Sequence, residues 1–453
     1  MILVTKTNPR EIAILVLAEV MENEAYSNIS LREKLSKYSD LTPLDKAFIT
    51  EIVHGTIRYL ITIDYIINQY SKTKINKMKP LILNILRCGV YQIIFMTKVP
   101  SFAACNESVE IAKRRGLRGL SGFVNGVLRN IARNSKAISY PNPYKDFSMY
   151  LSVYYSYPKW LIDYWLDTYS PQFVEDLCRG SNKSPVVSIR CNTLKTNKED
   201  LMKTLSKEDV VVYDGVYSKE ALGISKTSAI NELPSFKQGL FQVQDESSML
   251  VGHILNPKPR DNILDVCSAP GGKATHCGEL MKNEGIIFAR DIHEHKLDLI
   301  KSSAQRLGIS IIKTQLKDAT QLDDTMVSKM DRVLIDAPCL GLGIIRKKPD
   351  IKYKKTPKDL EDLIVVQRQI LSTCSKYVNV GGILVYSTCT ISKRENIENI
   401  DWFTRNFDFE LEDIDPYLPE TLRSETSKKG YIQLYPHIHN IDGFFIARLR
   451  RKR

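Results

Sequence analysis

The sequence predicts a doubly wound α/β domain with a mostly parallel sheet, preceded by an all-α bundle and a small α+β unit. Three observations carry this. From about residue 260, five apolar runs ("NILDVC", "GIIFARD", "ISIIKTQ", "RVLIDAP" and "GGILVYS") alternate with helical or loop segments, the pattern of repeated βα units. The first 135 residues place apolar side chains at helical spacing and show no strand signal. From 184 to 243, short β-like runs alternate with helical stretches.

In chain order, "REIAILVLAEVM" reads as a mostly apolar helix. "LTPLDKAFITEIVHGTIRYL" opens with Thr42 as N-cap, Pro43 at the first helical position and Asp45 in the first turn. Ile49, Ile52, Val53 and Leu60 then recur at helical spacing. "KPLILNILRCGVYQIIFM" starts behind Pro80 and stacks Ile82, Ile85, Leu86, Ile93 and Ile94. "FAACNESVEIAKRRGLRGLSGFVNGVLRNIARN" gives two helices broken between Gly116 and Gly122, with Lys113, Arg114, Arg115, Arg118, Arg129 and Arg133 on their polar faces. Residues 136–180, rich in Tyr and Pro, read as a connector followed by a short helix. "PVVSIRCN", "VVVYDG" and "GLFQVQ" are the strands expected in the small unit. The expected domains are 1–137 (helical), 138–183 (connector), 184–250 (small α+β) and 251–453 (doubly wound).

At 453 residues, with 43% hydrophobic and 26% charged residues, the chain has the composition of a soluble protein of two or three domains. It has no apolar run long enough to span a membrane, and "MILVTKTNPR" is too short for a signal-peptide core. The nine cysteines are scattered with no Cys-x-x-Cys pair, which points to a reducing cytoplasm and to no zinc or other metal site. The pairs His293/His295 and His437/His439 read as surface residues. Net charge is +12, and residues 1–140 hold 20 Lys and Arg against 11 Asp and Glu. Such asymmetry points to a polyanionic partner.

Doubly wound sheets bind ligands beyond the carboxyl ends of their strands. On that rim Asp265, Asp291, Asp318 and Asp336 follow one another at intervals of 26, 27 and 18 residues. Carboxylates at successive strand ends disfavour a pyrophosphate, and "CSAPGGKATH" has neither G-x-G-x-x-G nor a Walker pattern. S-adenosylmethionine suits the rim better. It carries no phosphate, it bears a cationic sulfonium and ammonium, and its ribose hydroxyls can donate to an acid such as Asp291. Pro270-Gly271-Gly272 lets the backbone approach a ligand at the head of a helix.

Two cysteines share this rim, Cys339 after the fourth run and Cys389 after the fifth. Taken singly, a cysteine most often fills space in a core. Beside a methyl donor the pair has a chemical meaning. C5 of cytosine attacks a methyl group only after a thiolate has added to C6. A group such as Asp336 that bonds N3 and N4 assists the addition, and a second rim group assists loss of the C5 proton. Methylation of oxygen or of an exocyclic nitrogen needs no thiolate.

The motifs "DVCSAPGGKATH", "DAPCLGLGIIRKKPDIK", "VYSTCTISKREN" and "DGFFIARL" resemble, in order and spacing, those of the RNA cytosine-C5 methyltransferases. "NGVLRN" and the helices before it resemble the NusB-type RNA-binding domain, and "YPKWL" and "VQDESSM" recur between the two parts. The resemblance spans nearly the whole chain and is to the NusB-fused members of the family. It implies a Rossmann-like methyltransferase domain, a NusB-like bundle, small-subunit ribosomal RNA as partner, and a cytoplasmic monomer. It implies that Cys389 of the Thr-Cys motif is the nucleophile and that Cys339 of the Pro-Cys motif assists product release, with Asp336 and Lys273 beside them. Lys273 is a source of positive charge for a thiolate. DNA cytosine-C5 methyltransferases use the Pro-Cys thiol as nucleophile, so motif order alone leaves the roles open. The resemblance further implies S-adenosylmethionine contacts by Cys267, Ser268, Ala269, Pro270, Gly271, Gly272, Lys273, Asp291, Asp318 and Asp336. The chain departs from the family after Pro-Cys, where Leu340-Gly341-Leu342-Gly343 replaces a small or hydroxyl residue. The same chemistry on tRNA, or a non-catalytic assembly factor, are the competing readings.

Overall fold

Prolines and capping side chains set the helices of the N-terminal part, and the computed structural model describes residues 8–22, 25–38, 40–225 and 230–452. The chain divides into one unit of residues 1–183 with 347–354 and another of 184–346 with 355–453. The first unit contains α1 (Pro9–Glu22), α2 (Ser27–Ser36), α3 (Pro43–Arg58), α4 (Leu60–Tyr70), α5 (Pro80–Phe95), α6 (Ser101–Arg114), α7 (Ser121–Arg133), α8 (Phe147–Tyr155), α9 (Lys159–Leu166) and α10 (Pro171–Ser181). Thr42 and Asp45 form a reciprocal capping box at the start of α3. Ile12, Leu17, Ile49, Ile52, Val53, Ile85, Leu86 and Leu128 are buried in one apolar core. Within the second half of residues 347–354, Lys352 is buried and donates from Nζ to the Arg58 carbonyl at 2.8 Å.

Three differences from the sequence reading have local causes. The helix expected over 41–60 stops at Arg58, because Tyr59 (φ −111°, ψ 25°) leaves helical geometry and α4 begins after it. The short polar helix α2 has no apolar periodicity to announce it. Residues 136–180 hold three helices where one was expected. There Asp146 and Ser170 cap α8 and α10, and Pro158 and Pro171 sit at helix starts, so prolines that looked like breakers begin helices. The expected basic edge is partly neutralised: Arg114 and Arg115 both pair with Glu11, at 3.2 and 2.6 Å.

The second unit begins with β1 (Val187–Cys191), α11 (Lys198–Lys207), β2 (Val211–Asp214), β3 (Ala221–Ser225), α12 (Pro234–Lys237) and β4 (Phe241–Val243). Its four strands form a sheet in the order β2-β3-β1-β4, antiparallel throughout. β3 was not foreseen. Then follow α13 (Glu246–Leu255), β5 (Asn262–Asp265), α14 (Gly272–Leu280), β6 (Ile286–Asp291), α15 (Glu294–Leu307), β7 (Ile312–Leu316), β8 (Met330–Asp336), α16 (Ile351–Lys354, in the segment grouped with the helical unit), α17 (Pro357–Ser375), β9 (Val378–Thr388) and α18 (Ile397–Asn406). The chain closes with β10 (Phe409–Leu411), α19 (Glu425–Lys428), β11 (Tyr431–Leu434), α20 (Pro436–His439) and β12 (Phe444–Arg451). These strands make an eight-stranded sheet, β10-β12-β9-β8-β5-β6-β7, with β11 on β12.

β5 to β9 are parallel, as expected, and β12 runs antiparallel to β9 from Phe445↔Thr388 to Arg450↔Ile383. The chain leaves β5 in one direction for β6 and β7, then returns to β8 and β9 on the other side. The reversal lies between β5 and β8, the position at which such sheets open a ligand crevice. The strands β10 to β12 were not assigned from sequence. The first six residues of β12, Phe444 to Leu449, are buried on both faces, and "DGFFIARL" is that strand with its lead-in. Among the described residues no helix is long and apolar enough to cross a membrane.

Candidate active site

The site is built from strand ends. β5, β6 and β8 end on Asp265, Asp291 and Asp336, and Cys389 follows the last residue of β9. Gly271, at φ +97°, makes the left-handed turn into α14, and a Cβ there would stand 3.2 Å from the Ile300 backbone. Only glycine suits both conditions. Lys273, in the first turn of α14, donates to Asp336 Oδ2 at 2.6 Å, and the Ser387 hydroxyl donates to Asp336 Oδ1 at 2.9 Å. The Lys273 ammonium also lies 5.2 Å from the centre of the Phe444 ring. Burial acts to lower the Lys273 pKa, but Asp336 outweighs it, with Cys389 and Asp265 adding to the rise. Lys273 is therefore a fixed cation facing Asp336 and Cys389.

The two thiols meet: Cys339 Sγ and Cys389 Sγ are 3.4 Å apart. Both are partly exposed, whereas Cys88, Cys105, Cys178, Cys191, Cys277 and Cys374 are buried. The hydrogen bond with Cys389, followed by burial, pushes the Cys339 thiol well above its usual range. Glu395 ties the two cysteine loops together. It accepts from the Leu340 amide at 2.8 Å, from Gln367 Nε2 at 3.1 Å and from Thr390 Oγ1 at 3.2 Å. Burial holds its carboxyl above the ordinary range.

The loop that departs from the family pattern has a packing reason. Gly343 donates to the Cys389 carbonyl at 3.0 Å and accepts from the Gly443 amide at 2.9 Å, and a Cβ on Gly343 would fall 1.8 Å from the Gly443 oxygen. Leu340 and Leu342 are buried. The segment is shaped to press the Pro-Cys loop against the Thr-Cys loop and the lead-in to β12.

The remaining expected residues divide. Asp265 is buried with neither carboxylate oxygen hydrogen-bonded, and the Ser268 hydroxyl is likewise buried without a partner. Burial pushes the Asp265 pKa up to about 7; Asp336 adds to the rise, and Ser268, Lys273 and the Cys267 backbone oppose it. Asp291 accepts from the His293 amide at 3.0 Å, and Asp318 caps its own turn through the Thr320 amide and hydroxyl at 2.9 and 2.7 Å. Cys267 is partly buried, its thiol raised by burial and by Cys374. Ala269 and Pro270 complete the loop, and a Cβ on Gly272 would have only Gln244, at 4.0 Å, nearby. The structure thus joins Asp336, Lys273, Cys339 and Cys389 by direct contact or charge, with Asp265 beside them. Asp291 and Asp318 stand apart, at the tips of the next two strands.

An unsatisfied buried carboxylate and hydroxyl below a glycine turn fit a cationic ligand with hydroxyl groups. They do not fit an anion. S-adenosylmethionine meets that requirement.

The sequence reading missed what supports the loop. Arg190 of β1 is wholly buried and makes a forked pair with Glu279 (3.0 and 2.8 Å), and it also donates to the Gly272 carbonyl (2.8 Å), Thr275 Oγ1 (3.2 Å) and Gln244. A lone arginine inside the apolar run "VSIRC" was the available signal, since a buried guanidinium must be paired. Nearby, Glu220 Oε1 bonds His253 Nε2 at 2.8 Å and His276 Nε2 at 2.7 Å. These are the one group of three potential metal ligands among the described residues. Buried His276 Nδ1 has no partner, whereas a metal-bound imidazole donates its second N–H to an acceptor, so the cluster acts as a hydrogen-bonded clamp. His293 and His295 are exposed as expected. His437 and His439 depart from expectation: both are half-buried, and His439 Nδ1 accepts from the Tyr435 amide at 2.9 Å.

Comparison with known proteins decides the family. Residues 252–450 match the 16S rRNA methyltransferase RsmB/F family, 7–133 the NusB family, and 157–231 the RsmF/B-like ferredoxin-like domain. A probable ribosomal RNA small subunit methyltransferase B of Bacillus subtilis (strain 168) is 39% identical over 450 residues, 99% of each chain. The chain belongs to the ribosomal RNA small subunit methyltransferase B family. Members of this family are S-adenosylmethionine-dependent methyltransferases. Among solved structures, the crystal structure of PH0851 superposes with a TM-score of 0.82 at 28% identity, covering 98% of this chain and 99% of that one. NSun6 from Pyrococcus horikoshii with SFG superposes at 0.59 and 25% identity, covering 65% and 98%. Within the family assignment, the Rossmann-like sheet and the NusB-like helical part take their places as methyltransferase and accessory domains.

Proposed function

We propose that this enzyme methylates carbon 5 of a cytosine in small-subunit ribosomal RNA, with Cys389 as nucleophile. The observation that carries this is the pair of partly exposed thiols 3.4 Å apart, beside the Lys273–Asp336 ion pair. S-adenosylmethionine, when bound, supplies the methyl group as an electrophile on its sulfonium. Asp265 and Ser268 would face its positive charge and polar groups, and Asp291 would accept from its ribose.

The residues of the chain do the rest. The Cys389 thiolate adds to C6 of the cytosine, forming an S–C6 bond and moving the C5–C6 electron pair onto C5. Lys273 favours the thiolate by its charge. Asp336, held in place by Lys273 and Ser387, accepts from the base amino group. Once C5 is methylated, its proton leaves to a water held at Cys339 and passes to solvent, or to Cys339 itself after that thiol has given its own proton to solvent; the S–C6 bond breaks, and the C5–C6 double bond returns with Cys389 restored as thiolate. Cys339 suits the second role because it lies in contact with Cys389, 3.4 Å away. Bisulfite sequencing of 16S ribosomal RNA from cells lacking the gene is expected to lose one 5-methylcytosine that wild-type cells carry, and the purified enzyme should restore it. An unchanged 16S pattern contradicts the substrate.

A further inference from the structure

We propose that a groove between α6 and α7 of the helical unit binds one unpaired nucleotide of single-stranded RNA, its base stacked on Phe102. The proposal rests on the reading that the enzyme acts on RNA, and it names how the helical unit takes hold of it. The groove encloses about 500 Å³, inside the roughly 300–1,000 Å³ range of small-ligand sites. Phe102, in the first turn of α6, is 71% exposed. An aromatic side chain left this open loses the hydrophobic gain of burial, and here it forms one wall of a concavity.

The other lining residues fit the rest of a nucleotide. Arg129 and Arg133 lie one turn apart on α7, and Ser101 and Asn106 offer polar edges. No carboxylate lines the groove. At Gly126 an added Cβ would meet no heavy atom within 4 Å, so the α7 backbone is open at this point and leaves space for a flat ring. Base–aromatic stacking beside guanidinium groups is the usual way proteins hold unpaired bases, and it tolerates any sequence because every base has a π-face. A duplex cannot use it, since its bases are already stacked and paired. Charge complementarity selects RNA over a peptide: residues 1–140 carry 20 Lys and Arg against 11 Asp and Glu. Arg114 and Arg115 on the same helix pair are engaged with the Glu11 carboxylate, whereas Arg129 donates from Nε to the neutral amide oxygen of Asn125 at 2.8 Å, which leaves the Arg129/Arg133 side as the better phosphate contact.

The test uses the full chain and a 12-nucleotide single-stranded RNA of mixed sequence, with a duplex of the same sequence as control. Phe102→Ala should weaken single-strand binding about tenfold, within the range for one base–aromatic stack, with the salt slope and duplex affinity unchanged. Arg129→Gln with Arg133→Gln should lower the salt slope by up to about 1.4 units, the value for two phosphate contacts on a single strand. Single-strand affinity of Phe102→Ala equal to wild type overturns the stacking site alone and leaves the methylation reading intact. So does an equal loss on the duplex. Wild-type protein that binds neither RNA overturns both.

Discussion

Two buried charges meet the loop between β5 and α14, and the protein treats them in opposite ways. Arg190 is saturated: Glu279, Gly272, Thr275 and Gln244 take up its donors. Asp265 ends the strand that leads into the same loop and has no hydrogen-bond partner. Native proteins leave few buried polar groups unsatisfied, and those they leave cluster where a ligand completes them. The saturated charge is scaffold. The unsatisfied one is the group we propose the cofactor completes.

Breaking the scaffold should have the larger effect. Arg190→Gln strands Glu279, whose carboxyl burial already pushes up despite the guanidinium beside it. Removing one partner of a buried pair costs about 3–5 kcal/mol, and urea denaturation should show a loss of that size. Arg190→Lys should recover only part of it, because an ammonium lacks the fork that grips Glu279. A loss under about 1 kcal/mol in Arg190→Gln, the scale of a surface pair, would mean the network does not hold the loop.

Asp265 should respond with the opposite sign. Its folded pKa, about 7, lies above the ordinary aspartate value of 3.8. The folded state therefore holds a proton that the unfolded chain releases, and the ligand-free protein loses stability as pH rises from about 4 to about 7. Asp265→Asn removes that penalty. It should stabilise the ligand-free enzyme by roughly 2–4 kcal/mol at pH 8, the upper end being the full shift at 1.36 kcal/mol per unit, and bring little gain at pH 4. The same variant should weaken S-adenosylmethionine by about tenfold or more in calorimetry, the loss for one hydrogen bond to a charged group. Unchanged cofactor affinity would place Asp265 with the scaffold.

The same division explains what was legible in the sequence. The βα repeat announced the parallel strands, and the acids and cysteines at their ends fell where strand ends must lie, so Asp336, Cys339 and Cys389 could be named before their contacts were known; Lys273 came from the family resemblance of its loop motif. Gln244 and Glu395 could not, and for Arg190 the apolar run around it signalled a buried charge without naming its partners. Each acts through a partner distant in the chain, as Glu395 does on Leu340, and no periodicity records that. The C-terminal strands escaped because β12 is covered on both faces and lacks the alternation that marks a half-exposed strand. Residues 136–180 misled for a different reason: a proline reads as a breaker unless the cap before it is recognised. The left-handed Gly271 was readable as a ligand turn, but the contact of Gly343 with Gly443 joins two loops a hundred residues apart.

The two thiols carry the central claim, and a covalent trap separates them. Each variant is incubated with a 16S ribosomal RNA fragment and S-adenosylmethionine, then run on a denaturing gel. Cys389→Ala should give neither adduct nor 5-methylcytosine, since nothing adds to C6. Cys339→Ala should accumulate a protein–RNA adduct that survives denaturation, because addition proceeds and elimination is slowed. An adduct in Cys389→Ala with none in Cys339→Ala would reverse the roles, and full methylation by both variants would contradict the account.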